Sequence, residues 1–145
     1  MINLTLACVP PSVTAQQKRL HIVKGRPVFF HDKRMAGEAN TWAALLRPFV
    51  PSEPLAGPLR VTVVGIWPHT KATPKAKLGA FVPKVSKPDA SNYAKHLEDL
   101  LVRMRFMAED SLVGSITVEK WRGPVDSVGI RIRIAPMGAE EQPCL

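Results

Sequence analysis

Residues 59–67 (LRVTVVGIW) constrain this chain more than any other stretch, because Val61, Val63, Val64 and Ile66 are β-branched within an almost uninterrupted apolar run. Such side chains lose rotamer freedom in a helix and pack well on a pleated surface. The run is therefore predicted to be a strand, and one central in its sheet. A central strand needs neighbours on both sides and a layer to cover it. The chain has 145 residues, 46% hydrophobic and 22% charged, which is enough for one domain with a real core.

The neighbours can be read from periodicity. Residues 2–8 alternate Ile2, Leu4, Leu6 and Cys8 with Asn3, Thr5 and Ala7, a strand with one buried face that Pro10 and Pro11 end. Residues 19–23 and 27–30 flank Lys24-Gly25-Arg26, a glycine-centred turn, and are predicted to form a hairpin. From Asp32, a plausible N-cap, the spacing turns helical through Met35, Ala39, Trp42, Leu45, Leu46 and Phe49, until Pro48 and Pro51 close the helix. A second helix is predicted over 89–107, with Tyr93, Leu97, Leu100, Leu101 and Met104 as its buried stripe. Strands at 115–122 and 127–135 follow, joined by a turn at Gly123 and Pro124. The predicted order is βββαβαββ, a single α+β domain over residues 1–136 with a mixed sheet and two main helices. Residues 137–145 are predicted to be a disordered tail.

Lys and Arg number 20 against 12 Asp and Glu, a formal net charge of +8 that favours a polyanionic partner. The excess is concentrated. Residues 69–87 carry Lys71, Lys75, Lys77, Lys84 and Lys87 among Pro74, Gly79 and Pro83, and no carboxylate occurs between Glu53 and Asp89. A basic loop of this kind is either a solvated surface or a set of phosphate contacts, and its position directly before an acidic motif favours the second. An RNA-binding module would need exposed aromatics, yet Trp42 and Trp67 fall on apolar faces and Trp121 also reads as core. Two cysteines, Cys8 and Cys144, form no metal or disulfide pattern. The histidines His21, His31, His69 and His96 lack the close pairing of a zinc site. No apolar run approaches the roughly 18 residues of a membrane span and no leader pattern is present, so a soluble cytoplasmic protein is expected.

On the second helix Ser91, Lys95 and Asp99 are four apart and share one polar face, with Asn92 beside them. Asp89 stands at the helix mouth, where it could be no more than an N-cap, and Lys95 with Asp99 could be an ordinary surface ion pair. Glu109 and Asp110 follow the far end of the helix. At about 1.5 Å per residue, Asp110 approaches Asp89 only if the chain doubles back.

The ordered set Lys87-Pro88-Asp89-Ala90-Ser91-Asn92, Lys95, Asp99, then Glu109-Asp110-Ser111 before an apolar strand, resembles the RusA-type Holliday-junction resolvases. In that family a basic loop leads into Asp-x-Asp-Asn, with Lys four residues after the second Asp and another Asp about 20 residues on. The resemblance matches Asp89 to the first carboxylate, Asn92 to the Asn, Lys95 to the site lysine, Asp99 to the helix Asp and Asp110 to the distal carboxylate. Val9-Pro10-Pro11-Ser12 is similar to the family's Pro-Pro-Ser loop, and Lys24-Gly25-Arg26 to its basic hairpin. One position departs: Ser91 stands where the family has its second motif carboxylate.

The resemblance implies a homodimer that makes paired nicks in four-way or branched DNA during recombination and repair. It implies Mg²⁺, for which Mn²⁺ could substitute, held by Asp89 and Asp110, with catalysis by Asp89, Asp110 and Lys95. Ser91, Asn92, Asp99 and Glu109 would be auxiliary, and Lys71, Lys75, Lys77, Lys84, Lys87, Lys24 and Arg26 would contact DNA. The alternative is a weakened or inactive nuclease of the same fold that retains junction binding.

Overall fold

A computed structural model describes residues 1–10, 19–23, 26–30 and 33–138, with side-chain surroundings for residues 1–10 and 40–138. The apolar run is β4 (Leu59–Pro68), and it lies third of five in a mixed sheet. It pairs antiparallel with β7 (Gly129–Pro136) on one side and parallel with β6 (Val113–Gly123) on the other. Outside β7 runs β1 (Ile2–Leu6), also antiparallel, and outside β6 runs the two-residue β5 (Val82–Pro83). The hairpin of β2 (Arg19–Val23) and β3 (Arg26–Phe30) forms a separate two-stranded sheet. Val23 pairs with Arg26, so Arg26 belongs to the strand rather than to the turn. Lys24, Gly25 and Asp32 lie outside the described residues.

Alternation along the strands leaves one sheet face for the core. Leu4 and Leu6 of β1, Leu59, Val61, Val63 and Trp67 of β4, and Ile130, Ile132 and Ile134 of β7 are all buried. The opposite face presents Arg60, Arg131, Arg133, Asn3 and Thr5 to solvent. β4 is central, as expected, yet it is covered on one face for most of its length.

The covering layer is helical. From α1 (Lys33–Leu46), which a 3₁₀ turn (Arg47–Phe49) extends, Trp42 and Leu46 enter the core. α2 (Ala90–Arg103) supplies Tyr93, Leu97, Leu100 and Leu101. Full burial of an aliphatic side chain stabilises by about 1.5–3 kcal/mol. The stripe therefore orients α2 and turns its polar residues outward.

α2 ends four residues earlier than periodicity suggested, for a backbone reason. Arg105 takes φ 62, in the left-handed region. Its N–H donates to the Val102 carbonyl and the Phe106 N–H to the Leu101 carbonyl, each at 2.9 Å, the two bonds of a Schellman motif. Phe106 and Met107 are buried as the chain leaves, and Met104 packs at the core margin. The returning strand segment is then tied to the 52–58 loop. Leu55 donates to the Phe106 carbonyl and Ala108 to the Leu55 carbonyl, at 2.9 and 3.3 Å. Two further departures concern the basic loop and the tail. β5 inserts one strand into the expected order, and a 3₁₀ turn (Lys75–Lys77) gives the basic loop local structure. Met137, placed in the predicted tail, donates its N–H to the Pro58 carbonyl at 2.8 Å, while 139–145 lie outside the described residues.

A left-handed Arg costs roughly 1 kcal/mol that glycine would not, partly offset by glycine's freer unfolded chain. Arg105→Gly should therefore raise unfolding stability by up to ~1 kcal/mol in urea titrations. Arg105→Pro, which cannot adopt this φ and lacks the N–H, should lower it; equal stability of the two variants would contradict the motif.

Candidate active site

Asp110 reaches the polar face of α2 because the Schellman turn reverses the chain. It opens a short 3₁₀ turn (Asp110–Leu112) that feeds β6, and its Oδ2 accepts from Lys95 Nζ at 2.6 Å. Lys95 also meets Asp99 Oδ1 at 3.0 Å, one helical turn on. The ammonium thus bridges two carboxylates at a half-exposed position. The expected Lys95–Asp99 pair is present, and Asp110 completes it from outside the helix.

This geometry sets the protonation states. The hydrogen bonds to Asp110 first, then to Asp99, push the Lys95 ammonium above the usual lysine range. The same bond from Lys95 holds the Asp110 carboxyl below the usual aspartate range. Glu98, which periodicity did not single out, lies close enough to feel Lys95, Asp110 and Asp99; partial burial pushes its carboxyl up. His96 is half-buried, its Nε2 has no hydrogen-bond partner, and burial lowers its pKa. It does not stand open beside Lys95 as a surface imidazole would.

Asp89 is the N-cap residue of α2, with extended backbone (φ −66°, ψ 146°), yet its side chain makes no capping bond. The bland role its position suggested is therefore not taken up, and the carboxylate is exposed. Ser91 is likewise exposed and Asn92 half-buried beside it. Lys95 lies six residues beyond Asp89, about 9 Å along the helix axis. Asp110 is thus brought to the middle of α2. Among the described residues no group of three or more His, Cys, Asp or Glu forms a ready metal cage.

The basic loop divides into two kinds of lysine. Lys71, Lys75, Lys77 and Lys87 are exposed. Lys84 is not: it is 5% exposed, and its ammonium donates to the Ser86 carbonyl (2.9 Å), the Ser86 Oγ (3.0 Å) and the Lys87 carbonyl. It also sits 4.9 Å above the Trp67 ring, which in turn packs against Tyr93 of α2. The expected phosphate contact at Lys84 does not fit this burial, because the ammonium is already enclosed by its own loop. Two residues missed in the sequence join it, Lys120 and Arg122 of β6. Alternation could have flagged them, since they follow Val118 on the core-facing side of the strand.

The family model of the endodeoxyribonuclease RusA matches residues 9–135, from the Pro-Pro-Ser segment to the last strand. The chain belongs to the RusA family. Both the strand that carries Lys120 and the helix that carries Lys95 lie within the match. Among curated proteins no sequence matches the chain. RusA proteins are endodeoxyribonucleases that resolve Holliday junctions.

Because Lys95 is the largest cause of the lowered Asp110 value, Lys95→Met should move the Asp110 carboxyl midpoint up towards the ordinary aspartate range. Carboxyl ¹³C shifts followed by NMR across an acid titration would read this directly. The pair's contribution to the fold is present above the ordinary aspartate range and is lost as pH falls through the lowered Asp110 value.

Proposed function

We propose that this protein is a Mg²⁺-dependent, structure-specific endodeoxyribonuclease that resolves four-way or branched DNA by paired nicks, in recombination and repair. The observation that carries the reading is the reach of Lys95 from α2 to Asp110, which gathers a cation and two carboxylates on the helix whose N-cap residue, Asp89, keeps its side chain off the helix end. Carboxylate oxygens are the hard donors that Mg²⁺ prefers, and one or two of them with waters and substrate phosphate are sufficient. Asp89 fits by having its oxygens free of the helix end, and Asp110 by standing exposed. Asp89 and Asp110 would hold the ion, with Mn²⁺ able to replace it, and Asn92 and Glu109 in support. When bound, the metal supplies Lewis-acid activation of the phosphodiester.

The protein's own groups do the rest. Lys95 stays cationic at neutral pH, so it neutralises phosphate charge and does not act as a base. Asp99 keeps that ammonium in place. The exposed Lys71, Lys75, Lys77 and Lys87, with Lys24 and Arg26, would contact the DNA backbone, each contributing about one unit to the salt slope of binding. A homodimer would present two such sites across a two-fold junction.

Ser91 favours a second reading, a junction-binding protein with reduced cleavage, because a hydroxyl is a weaker Mg²⁺ ligand than a carboxylate. One experiment separates them. Labelled four-way junction and linear duplex are incubated with the protein, with and without Mg²⁺. Metal-dependent nicking confined to the junction is the expected result; binding without nicking would select the second reading. Asp110→Asn should shift the junction in a gel and leave it uncut. Retained cleavage by that variant would remove Asp110 from the site, and Ser91→Asp should raise activity if the missing carboxylate limits it.

A further inference from the structure

The three backbone carbonyls that precede Asp89 all point at cations. Those of Ser86, Lys87 and Pro88 accept from ammonium groups: Lys84 Nζ serves Ser86 at 2.9 Å and Lys87, and Lys120 Nζ serves Ser86 at 3.0 Å and Pro88 at 2.6 Å. Arg122 adds its guanidinium, from Nη2 to Ser86 Oγ at 3.4 Å and from Nη1 to the Pro68 carbonyl at 2.9 Å. The next carbonyl, that of Asp89, accepts the Tyr93 N–H and starts α2. The whole approach to Asp89 is therefore anchored to one strand edge. Lys84 is held there by its own N–H to the Lys120 carbonyl at 2.8 Å, extending the β5–β6 pairing by one residue.

This is a costly way to fasten a loop. No ion pair to a carboxylate is found for Lys84, Lys120 or Arg122 among the described residues. Burial, then the charges of Lys120 and Arg122, lowers the Lys84 pKa. Neutral donors would satisfy the same carbonyls without desolvating an ammonium or placing like charges together. Charged donors do make shorter and stronger hydrogen bonds, and so a more rigid loop. The Trp67 face offsets part of the cost, and it links the cluster to α2 through Tyr93. Local frustration of this kind concentrates where position matters more than stability.

We propose that Lys84, Lys120 and Arg122 are positioning residues, a cationic tether on the Ser86, Lys87 and Pro88 segment that fixes Asp89 at the mouth of α2 for metal binding. The tether acts through the backbone and makes no contact with substrate. Its role in metal binding rests on the nuclease reading above; its hold on the loop does not.

The test uses the full chain, with Lys120→Met, Arg122→Gln and the conservative Lys120→Arg. Amide hydrogen exchange of Ser86, Lys87 and Asp89 should quicken in Lys120→Met and Arg122→Gln and stay near the unmodified rate in Lys120→Arg. Nicking of a four-way junction should then need roughly 10-fold more Mg²⁺ for half-maximal rate in Lys120→Met, as loss of an outer support costs metal sites, while metal-free junction affinity is unchanged. Unchanged exchange in both neutral variants overturns the tether. Quickened exchange with an unchanged Mg²⁺ requirement overturns its role in metal binding, and weakened metal-free affinity with unchanged exchange makes these residues DNA contacts instead. A protein that nicks no junction even unmodified defeats the nuclease reading, and the exchange rates then decide the tether alone.

Discussion

The reversal at the end of α2 is the constraint on which the rest of the site depends. β4 and β6 are parallel neighbours, so the chain must leave the sheet, cross it and return to the starting end. α2 is that crossing. Its buried Tyr93, Leu97, Leu100 and Leu101 fix its rotation about its own axis, and the two Schellman bonds turn the chain at Arg105. Phe106 and Met107 then enter the core, and backbone bonds to Leu55 guide the segment back. Asp110 arrives at Lys95 as a consequence of this route. A helix one turn longer would carry the carboxylate past its partner.

Two sets of cations follow from the same architecture, and they differ in what surrounds them. Lys95 faces solvent and carboxylates, so its charge is stabilised. Lys84 faces carbonyls and an indole ring, and burial works against its charge. The exposed lysines of the 69–87 stretch are a third group, with no structural task among the contacts described. Basic residues close in sequence thus divide into loop anchors and surface charges according to the element each packs on.

Much of this could be read from the residues in order. The β-branched run at 59–67 specified a central strand, the 3.6-residue spacing specified two helices, and the Asp89 to Asp110 pattern pointed to the RusA family that the match over residues 9–135 supports. The misses have physical causes. β5 is two residues long and includes a proline, too short to leave a periodic signal. The end of α2 was overestimated because apolar Phe106 and Met107 continue the stripe, and an Arg in the left-handed conformation carries none of the signal that a glycine would. Lys84 looked like its neighbours because burial of a lysine depends on carbonyls and a ring brought from elsewhere in the chain.

By itself, the amino-acid sequence determined the α+β class, the central strand, the polar face of α2 and the family, since each rests on local periodicity or on residues ordered along one stretch. Only the tertiary structure decided which charges meet. Lys95 and Asp110 are 15 residues apart, and Lys120 and Ser86 are 34 apart, so their contacts depend on a chain reversal and on a strand register that no local spacing encodes. Hydrophobic patterning acts over a few residues, whereas an ion pair or a captured carbonyl requires two distant backbones to be fixed to within an ångström.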